Sequence, residues 1–146
     1  MMQTDEPQTL EPVHADARED EPSQWATRLV WFLRAMAAVS IAKGLYHWAI
    51  ICGFDAPFPS GFDSYQPPYQ IATVFFAVID PVAGVGLWLA APWGAVVWLT
   101  SVTSMAAVET LFPQIYGGSL LVVLAEMTML GTYLWLVLMA SREQPE

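Results

Sequence analysis

The sequence predicts an all-α fold, a polytopic membrane protein built as a four-helix transmembrane bundle with a disordered acidic N-terminal tail. Four apolar runs, each about 20 residues or longer, can cross a hydrocarbon core of about 30 Å at about 1.5 Å per residue. Hydrophobic residues make up 55% of the 146 residues and charged residues only 13%, about half the charged share of a typical soluble domain. The predicted helices are Leu29–Cys52, Gln70–Ala91, Trp93–Phe112 and Gly118–Ala140.

The first 25 residues form an acidic segment that differs in composition from the rest of the chain. They hold seven of the fourteen Asp and Glu residues, three prolines and a single base, Arg18. Such a segment buries too little apolar surface to fold alone, so residues 1–25 are predicted to be disordered. The segment is acidic where a signal peptide is basic, which favours a retained first helix. The predicted organisation is a tail (1–25), a transmembrane domain (26–141) and a short second tail (142–146).

The distribution of basic residues predicts the orientation of the bundle. Three arginines precede or enter the first helix and Arg142 follows the fourth, whereas residues 53–69 and 113–117 carry no Lys or Arg. Since cytoplasmic loops are enriched in Lys and Arg, both termini are predicted to be cytoplasmic. That arrangement requires an even number of crossings, and four helices satisfy it.

Proline and glycine mark the connections between the helices. Helices two and three are joined around Ala91-Pro92-Trp93, which predicts an antiparallel hairpin with Pro92 in the first turn of the third helix. The loop Gly53–Tyr69 holds four prolines, two glycines and five aromatic residues. This composition predicts no regular element, and the loop is either an interfacial strap or a lid over the mouth of the bundle. Asp55 and Asp63, eight residues apart, give only a weak cation-site signal.

Five ionisable side chains inside the apolar runs form the candidate site. Charged groups at membrane depth cost a few kcal/mol each unless they are paired or hydrated. Counted from the helix ends nearest the long loop, all five lie roughly 6 to 15 Å deep. Because they come from all four helices, a bundle can gather them around one axis. They are Lys43, His47, Asp80, Glu109 and Glu126.

The spacing of these residues predicts their partners. Lys43 and His47 are four residues apart and share one helix face, and Glu126 lies at the depth of Lys43, with Asp80 the second choice as its partner. One interpretation is a structural network that fixes helix order. The other is functional, because three carboxyl groups around one Lys and one His leave an excess of acid. A protonated carboxyl beside His47 would suit a proton path or a headgroup site.

Other features of the five residues point to structural roles. Pro81 removes a helical hydrogen bond, and Asp80 is predicted to cap the half-helix that follows. Broken helices also mark binding sites in transporters, which keeps the functional alternative open. Glu109 is predicted to be a hydrated interfacial acid near the end of its helix. One buried His, with acids that lack ligand spacing, predicts no metal site, and no catalytic motif is recognised.

Two stretches carry a family resemblance: GLYHWAIICG (Gly44–Gly53) and DPVAGVGLWLAAPWGAVVWL (Asp80–Leu99). In them the chain resembles a domain-of-unknown-function family of small four-helix bacterial inner-membrane proteins. That resemblance implies a location in the inner (plasma) membrane of a bacterial cell and no known activity. It covers the first three helices, about half of the chain.

A second, looser resemblance rests on two features: a basic residue in the first helix, and an acidic residue followed by glycines in the second. Through Lys43, Asp80, Gly84 and Gly86 the chain is similar to DoxX-type four-helix membrane proteins. Asp80 stands where those proteins usually have Glu. Some relatives of that type belong to sulfur-oxidising, quinone-reducing complexes, so this resemblance implies a site for a quinone.

Three functions fit the sequence. The leading one is a non-enzymatic accessory or assembly protein of a membrane complex, with the acidic tail as a docking segment. The alternative is a membrane subunit that binds a quinone or lipid headgroup through the Lys, His and carboxyl cluster, and a third is a minimal proton or solute carrier. The predicted partners are membrane lipids with a membrane-protein partner or further copies of the chain. No cofactor other than a quinone or lipid is predicted, and five basic residues cannot form a nucleic-acid surface.

Overall fold

The computed structural model describes residues 23–54 and 61–143. Within them the chain is all-α, and four helices are long and apolar enough to cross a membrane, which confirms the predicted fold class. Most of the predicted disordered tail, and Asp55, lie outside the described residues. The helices are α1 (Gln24–Ile51), α2 (Pro67–Trp88), α3 (Pro92–Leu111), the one-turn α4 (Pro113–Tyr116) and α5 (Leu120–Arg142).

The four long helices run alternately up and down, so the bundle has two distinct ends. At the loop end, α1 and α3 finish and α2 and α5 begin. At the terminal end, α1 begins, α5 finishes and α2 turns into α3. The side chains of Ser23 and Glu143 hydrogen-bond to each other at the terminal end. The two ends of the described chain therefore lie side by side.

Several helix ends differ from those predicted, each for a local reason. α1 begins five residues early because Ser23 caps it, its Oγ accepting from the backbone N–H of Trp25 at 3.2 Å. The prediction that the proline-rich loop contains no regular element is wrong at its second half. A 3₁₀ helix spans Phe62–Ser64 and α2 begins at Pro67. Proline is tolerated there because the first-turn N–H groups of a helix have no intrahelical partner.

Pro81 lies inside α2 without ending it, and its ring packs against α1 at Gly44. A Cβ atom at Gly44 would overlap the Pro81 ring, so glycine lets the ring pack against the α1 backbone. Pro81 has no N–H to donate to the carbonyl of Ala77, four residues earlier. The Trp48 indole Nε1–H donates to that carbonyl instead, at 2.9 Å. One contact between α1 and α2 thus repairs the hydrogen bond that proline removes.

The α2–α3 hairpin is held by backbone contact near its turn. Any Cβ at Gly86 would overlap Gly94, and any Cβ at Gly94 would overlap the Gly86 backbone. Two glycines at one crossing let the helices approach closely, as small residues commonly do between membrane helices.

The main apolar cluster and the buried ionisable side chains are concentrated in different parts of the bundle. The buried apolar cluster lies towards the terminal end and consists of Ala37, Ala83, Leu87, Trp98 and Val102. α5 packs against α1 and α3 and is the least buried of the four long helices. Towards the loop end, Lys43 and Glu109 make polar contacts with α5, whereas Asp80 bonds to Ser101 between α2 and α3.

Candidate functional site

A cavity of about 450 Å³ lies in the loop half of the bundle, lined by residues of α1, α3, α4 and α5 and by Tyr69 of α2. Its apolar lining includes Met105, Met129 and the exposed Val122 and Ala125 of α5. Four of the five candidate residues face it, and three tyrosines join them. The polar side chains that line it are Lys43, Tyr46, His47, Tyr69, Glu109, Tyr116 and Glu126.

Lys43 is the electrostatic centre of the site. Its Nζ lies 3.3 Å from Glu126 Oε1 and 3.9 Å from Asp80 Oδ2. The Lys43 side chain keeps 33% of its surface exposed, whereas the two carboxylates are almost fully buried. The contact with Glu126 is the one that the depth estimate favoured, and Asp80 is the second partner. One cation therefore serves two buried carboxylates from α2 and α5.

Asp80 lies behind Lys43 and does not line the cavity. Its Oδ1 accepts a hydrogen bond from the Ser101 hydroxyl of α3, and its Oδ2 has no hydrogen-bond partner. The prediction that Asp80 caps a half-helix is therefore wrong, because α2 continues through Pro81 and the carboxylate turns towards its neighbours. Asp80 instead links α2 to α1 and α3.

His47 lies one turn from Lys43 on the same face of α1. Only 4% of the residue is exposed, and its ring stacks on Phe76 with centroids 5.7 Å apart. The Tyr116 ring lies 6.1 Å away. The Nδ1 atom of His47 is buried and has no hydrogen-bond partner.

Glu109 is not the hydrated interfacial acid that the sequence predicted. The residue is only 7% exposed, and its Oε2 accepts from the backbone N–H of Ser119 at 2.8 Å. Ser119 is the N-cap residue of α5. Glu109 therefore satisfies a donor at the start of α5 and fixes that helix to the end of α3, with the one-turn α4 closing the corner between them.

Three polar residues near the site, Ser101, Thr73 and Tyr116, were not predicted from the sequence. Ser101 pairs with Asp80, and Tyr116 Oη lies 3.2 Å from Thr73 Oγ1. Burial raises the pKa of Tyr116 to about 12, so its phenol stays protonated at neutral pH. Hydroxyls within apolar runs were the available signal, but Ser and Thr often bond to their own helix, as Thr100 does to Val96.

Three buried side-chain atoms of the described residues have no hydrogen-bond partner: His47 Nδ1, Asp80 Oδ2 and Glu126 Oε2. Buried polar atoms are rarely left unpaired, and each exception calls for a water or a ligand. Two of the three belong to side chains that line the cavity. The arrangement can bind a polar group, with Lys43 and His47 on one wall and Glu126 on the other. No His, Cys, Asp and Glu group of metal-site type occurs in residues 23–54 and 61–143.

Comparison with known proteins identifies the family of the chain but no activity or ligand. No curated protein and no solved structure matches the chain. The likeness to DoxX-type proteins is not shown by these comparisons. The model of a family of unknown function (DUF6163) matches residues 27–144, which include α2, α3, α5, all but the first three residues of α1, and every residue that lines the cavity. The chain therefore belongs to this family of unknown function.

Proposed function

We propose that the chain is a membrane subunit that binds the polar head of an amphipathic molecule, a quinone or a lipid, in the cavity at the loop end. The observation that carries this proposal is the pairing of an apolar cavity with unpaired buried atoms of His47 and Glu126. Its volume, about 450 Å³, falls within the range of about 300–1,000 Å³ typical of small-molecule sites. Binding, rather than a reaction, is the proposed activity.

The lining supports an entry route from the side of the bundle. The polar head would lie against Lys43, His47 and Glu126, where hydrogen-bonding groups converge. Tyr46 on α1 and Val122 and Ala125 on α5 line the same cavity and are exposed. An apolar tail could therefore leave between α1 and α5 into the hydrocarbon region.

The accessory role that the sequence favoured is retained as the second candidate. It is supported by α5, which is largely unburied and presents large apolar side chains along its length. They include Leu120, Leu121, Leu124, Leu134, Trp135 and Leu138. Lipid covers such a face in a monomer, and a partner helix or a second copy of the chain would cover it in a complex. Binding of a ligand and assembly with a partner are compatible in one subunit.

The carrier hypothesis has less support. A carrier needs a polar path from one end of the bundle to the other, and the terminal half is filled by the apolar cluster around Trp98 and Val102. Within the part of the chain that the structure describes, the buried His47, Glu109 and Glu126 belong to the loop half and the buried Asp80 lies near the middle of α2.

We propose the inner membrane of a bacterial cell as the location, with both termini cytoplasmic. Arg28, Arg34 and Arg142 belong to the terminal end of the bundle. The Arg34 guanidinium lies 5.9 Å from the ring centroids of both Trp31 and Trp88. Basic and tryptophan side chains at one level are typical of a membrane interface.

Native mass spectrometry of the full chain, purified in mild detergent, tests the proposal. Wild-type protein is expected to carry one small amphipathic molecule per chain. The variant Lys43→Met/Glu126→Gln, which removes both members of the closer ion pair and leaves only the more distant Asp80 carboxylate without its cation, is expected to lose it. His47→Phe, which keeps an aromatic ring against Phe76, is a second variant expected to lose it. Arg34→Gln, which removes a charge from the same helix outside the cavity, is the matched control.

The readouts separate the two candidate functions. Retention of the molecule by both cavity variants would show that it binds elsewhere and would overturn the proposal. A stoichiometric protein partner without any small molecule would favour the accessory role alone. Circular dichroism and a monodisperse elution peak establish that each variant is folded before its mass spectrum is interpreted.

A further inference from the structure

The hydrogen-bonding groups of the cavity are unevenly divided between donors and acceptors. Lys43 supplies donors, but its ammonium already lies against Glu126 and Asp80. Glu126 Oε2 is buried and unpaired, and a carboxylate paired with an ammonium can only accept. A neutral imidazole offers one donor and one acceptor, and Nδ1 of His47 is unpaired. The unmet need of the site includes a donor for the Glu126 oxygen.

The charges around the cavity also restrict what can bind. Two carboxyl groups, those of Asp80 and Glu126, lie beside Lys43, and the Glu109 carboxyl group belongs to the same cavity lining. The Lys43 ammonium is shared between two of them, and Glu109 is committed to the Ser119 N–H. A phosphate would add negative charge where acids already exceed bases, and like charges in a poorly hydrated site repel strongly. A neutral headgroup avoids this repulsion.

We propose that the cavity selects a neutral headgroup that carries a hydroxyl donor, as a quinol or a hydroxyl-bearing glyceride does, over a quinone or a phosphate-bearing lipid. This inference rests on the proposed function and names the ligand class of the same site. A hydroxyl both donates and accepts, so it can donate to Glu126 Oε2 while accepting from Lys43 or His47. A quinone carbonyl only accepts and leaves Glu126 Oε2 without a partner.

The size of the preference follows from the cost of that unpaired oxygen. An unsatisfied buried acceptor weakens binding by roughly tenfold or more. The quinol and quinone forms of one molecule share nearly the same ring and the same tail, so apolar contacts cancel in the comparison. A quinol is therefore expected to bind at least about tenfold more tightly than the corresponding quinone.

Isothermal titration calorimetry of the full chain in nanodiscs measures this preference. The probes are a decyl-substituted benzoquinone, its hydroquinone kept reduced under anaerobic conditions, dioleoylglycerol, and short-chain phosphatidylglycerol. We expect tight binding of the hydroquinone or of dioleoylglycerol, and at least tenfold weaker binding of the quinone and phosphatidylglycerol. Which hydroxyl-bearing probe binds more tightly distinguishes a quinol from a glyceride as the source of the headgroup.

The variant Glu126→Gln tests the assigned acceptor, because it replaces a carboxylate oxygen by an amide donor of nearly the same shape. It should reduce the hydroquinone-to-quinone preference to about twofold or less, whereas Asp63→Asn, outside the cavity on the 3₁₀ helix, should preserve the wild-type ratio. The wild-type ratio decides the inference even if the variant does not fold. Equal or tighter binding of the quinone or of phosphatidylglycerol would overturn the ligand class and leave the proposed function standing. No binding of any probe at the cavity would overturn both.

Discussion

At the scale of single residues, an unpaired polar group inside a membrane is costly. In this chain, side chains from neighbouring helices form hydrogen bonds with backbone groups that would otherwise be unpaired. The Ala77 carbonyl freed by Pro81 is met by Trp48, and the Ser119 N–H at the start of α5 is met by Glu109. Each repair crosses from one helix to another. Residues that are unusual within an apolar helix, such as Pro81 and Glu109, therefore take part in contacts between helices.

Trp48→Phe keeps the aromatic volume but removes the indole N–H, so the Ala77 carbonyl loses its donor. We expect a loss of about 1–2 kcal/mol in the free energy of unfolding, the size of a hydrogen bond between membrane helices. Unfolding by sodium dodecyl sulfate, followed by circular dichroism in detergent, measures it.

A double-mutant cycle with Pro81→Ala supplies the control. Alanine at position 81 restores an N–H that can pair with the Ala77 carbonyl, so the Trp48→Phe change should cost less in that background. Equal costs with and without the proline would show that the Trp48 contact does not compensate for it.

Lys43→Met leaves the carboxyl groups of Asp80 and Glu126 without their shared cation. Removing one partner of a buried ion pair typically costs about 3–5 kcal/mol, and we expect a clear loss of stability in the same unfolding assay. The double change Lys43→Met/Glu126→Gln should recover part of that loss. A double variant as unstable as the single one would mean that Asp80, rather than Glu126, is the partner that matters.

The polar residues illustrate what the sequence can and cannot supply at this scale. Depth alone, counted along the helices, indicates that Lys43 and Glu126 can meet, because residues at equal depth on two helices of a bundle lie at the same level along its axis. Depth does not say which way a side chain turns around the helix axis. That is why Asp80 was predicted to cap its own helix but bonds to Ser101, and why Glu109 was predicted to meet water but caps α5.

At the scale of elements, glycine determines how closely the helices approach. The contact between α2 and α3 at Gly86 and Gly94 brings two backbones together with no room for a Cβ. Glycine-rich helices are visible in the sequence, but the pairing of these two positions depends on the register set by the Ala91-Pro92 turn. Gly131, in the middle of α5, has open space where a Cβ would lie.

Gly86→Leu should therefore separate α2 from α3 and destabilise the bundle by about 3 kcal/mol. Gly131→Leu is the matched control, with the same change in a similar membrane helix, and should leave stability unchanged or slightly raised. Thermal unfolding of the two variants in one detergent compares them. Similar losses in both would mean that α5 is more tightly enclosed than its exposure indicates.

At the scale of the whole molecule, the fold divides into a packed core of α1, α2 and α3 and a fourth long helix attached to it. The ion pair at Lys43 and the Ser119 N–H bond attach α5 at the loop half, and the rings of Trp25 and Trp135, 5.1 Å apart, meet near the terminal end. The cavity lies along the interface between α5 and the other three long helices, which is less extensively packed than the contacts among those three. A ligand could enter there with little disturbance of the three-helix core.

The side-by-side contact of Ser23 and Glu143 gives the last prediction, because it requires both ends of the described chain to lie on one side of the membrane. Cys52, exposed just after α1, belongs to the opposite end. If the arginine-rich end faces the cytoplasm as proposed, a membrane-impermeant maleimide should label Cys52 in intact cells. In a Cys52→Ser background, Ser23→Cys and Ser141→Cys should react only in inverted vesicles, if the arginine-rich end faces the cytoplasm as proposed. Labelling of both new cysteines from outside would reverse the orientation and keep the fold, whereas labelling of one from each side would contradict the four crossings themselves.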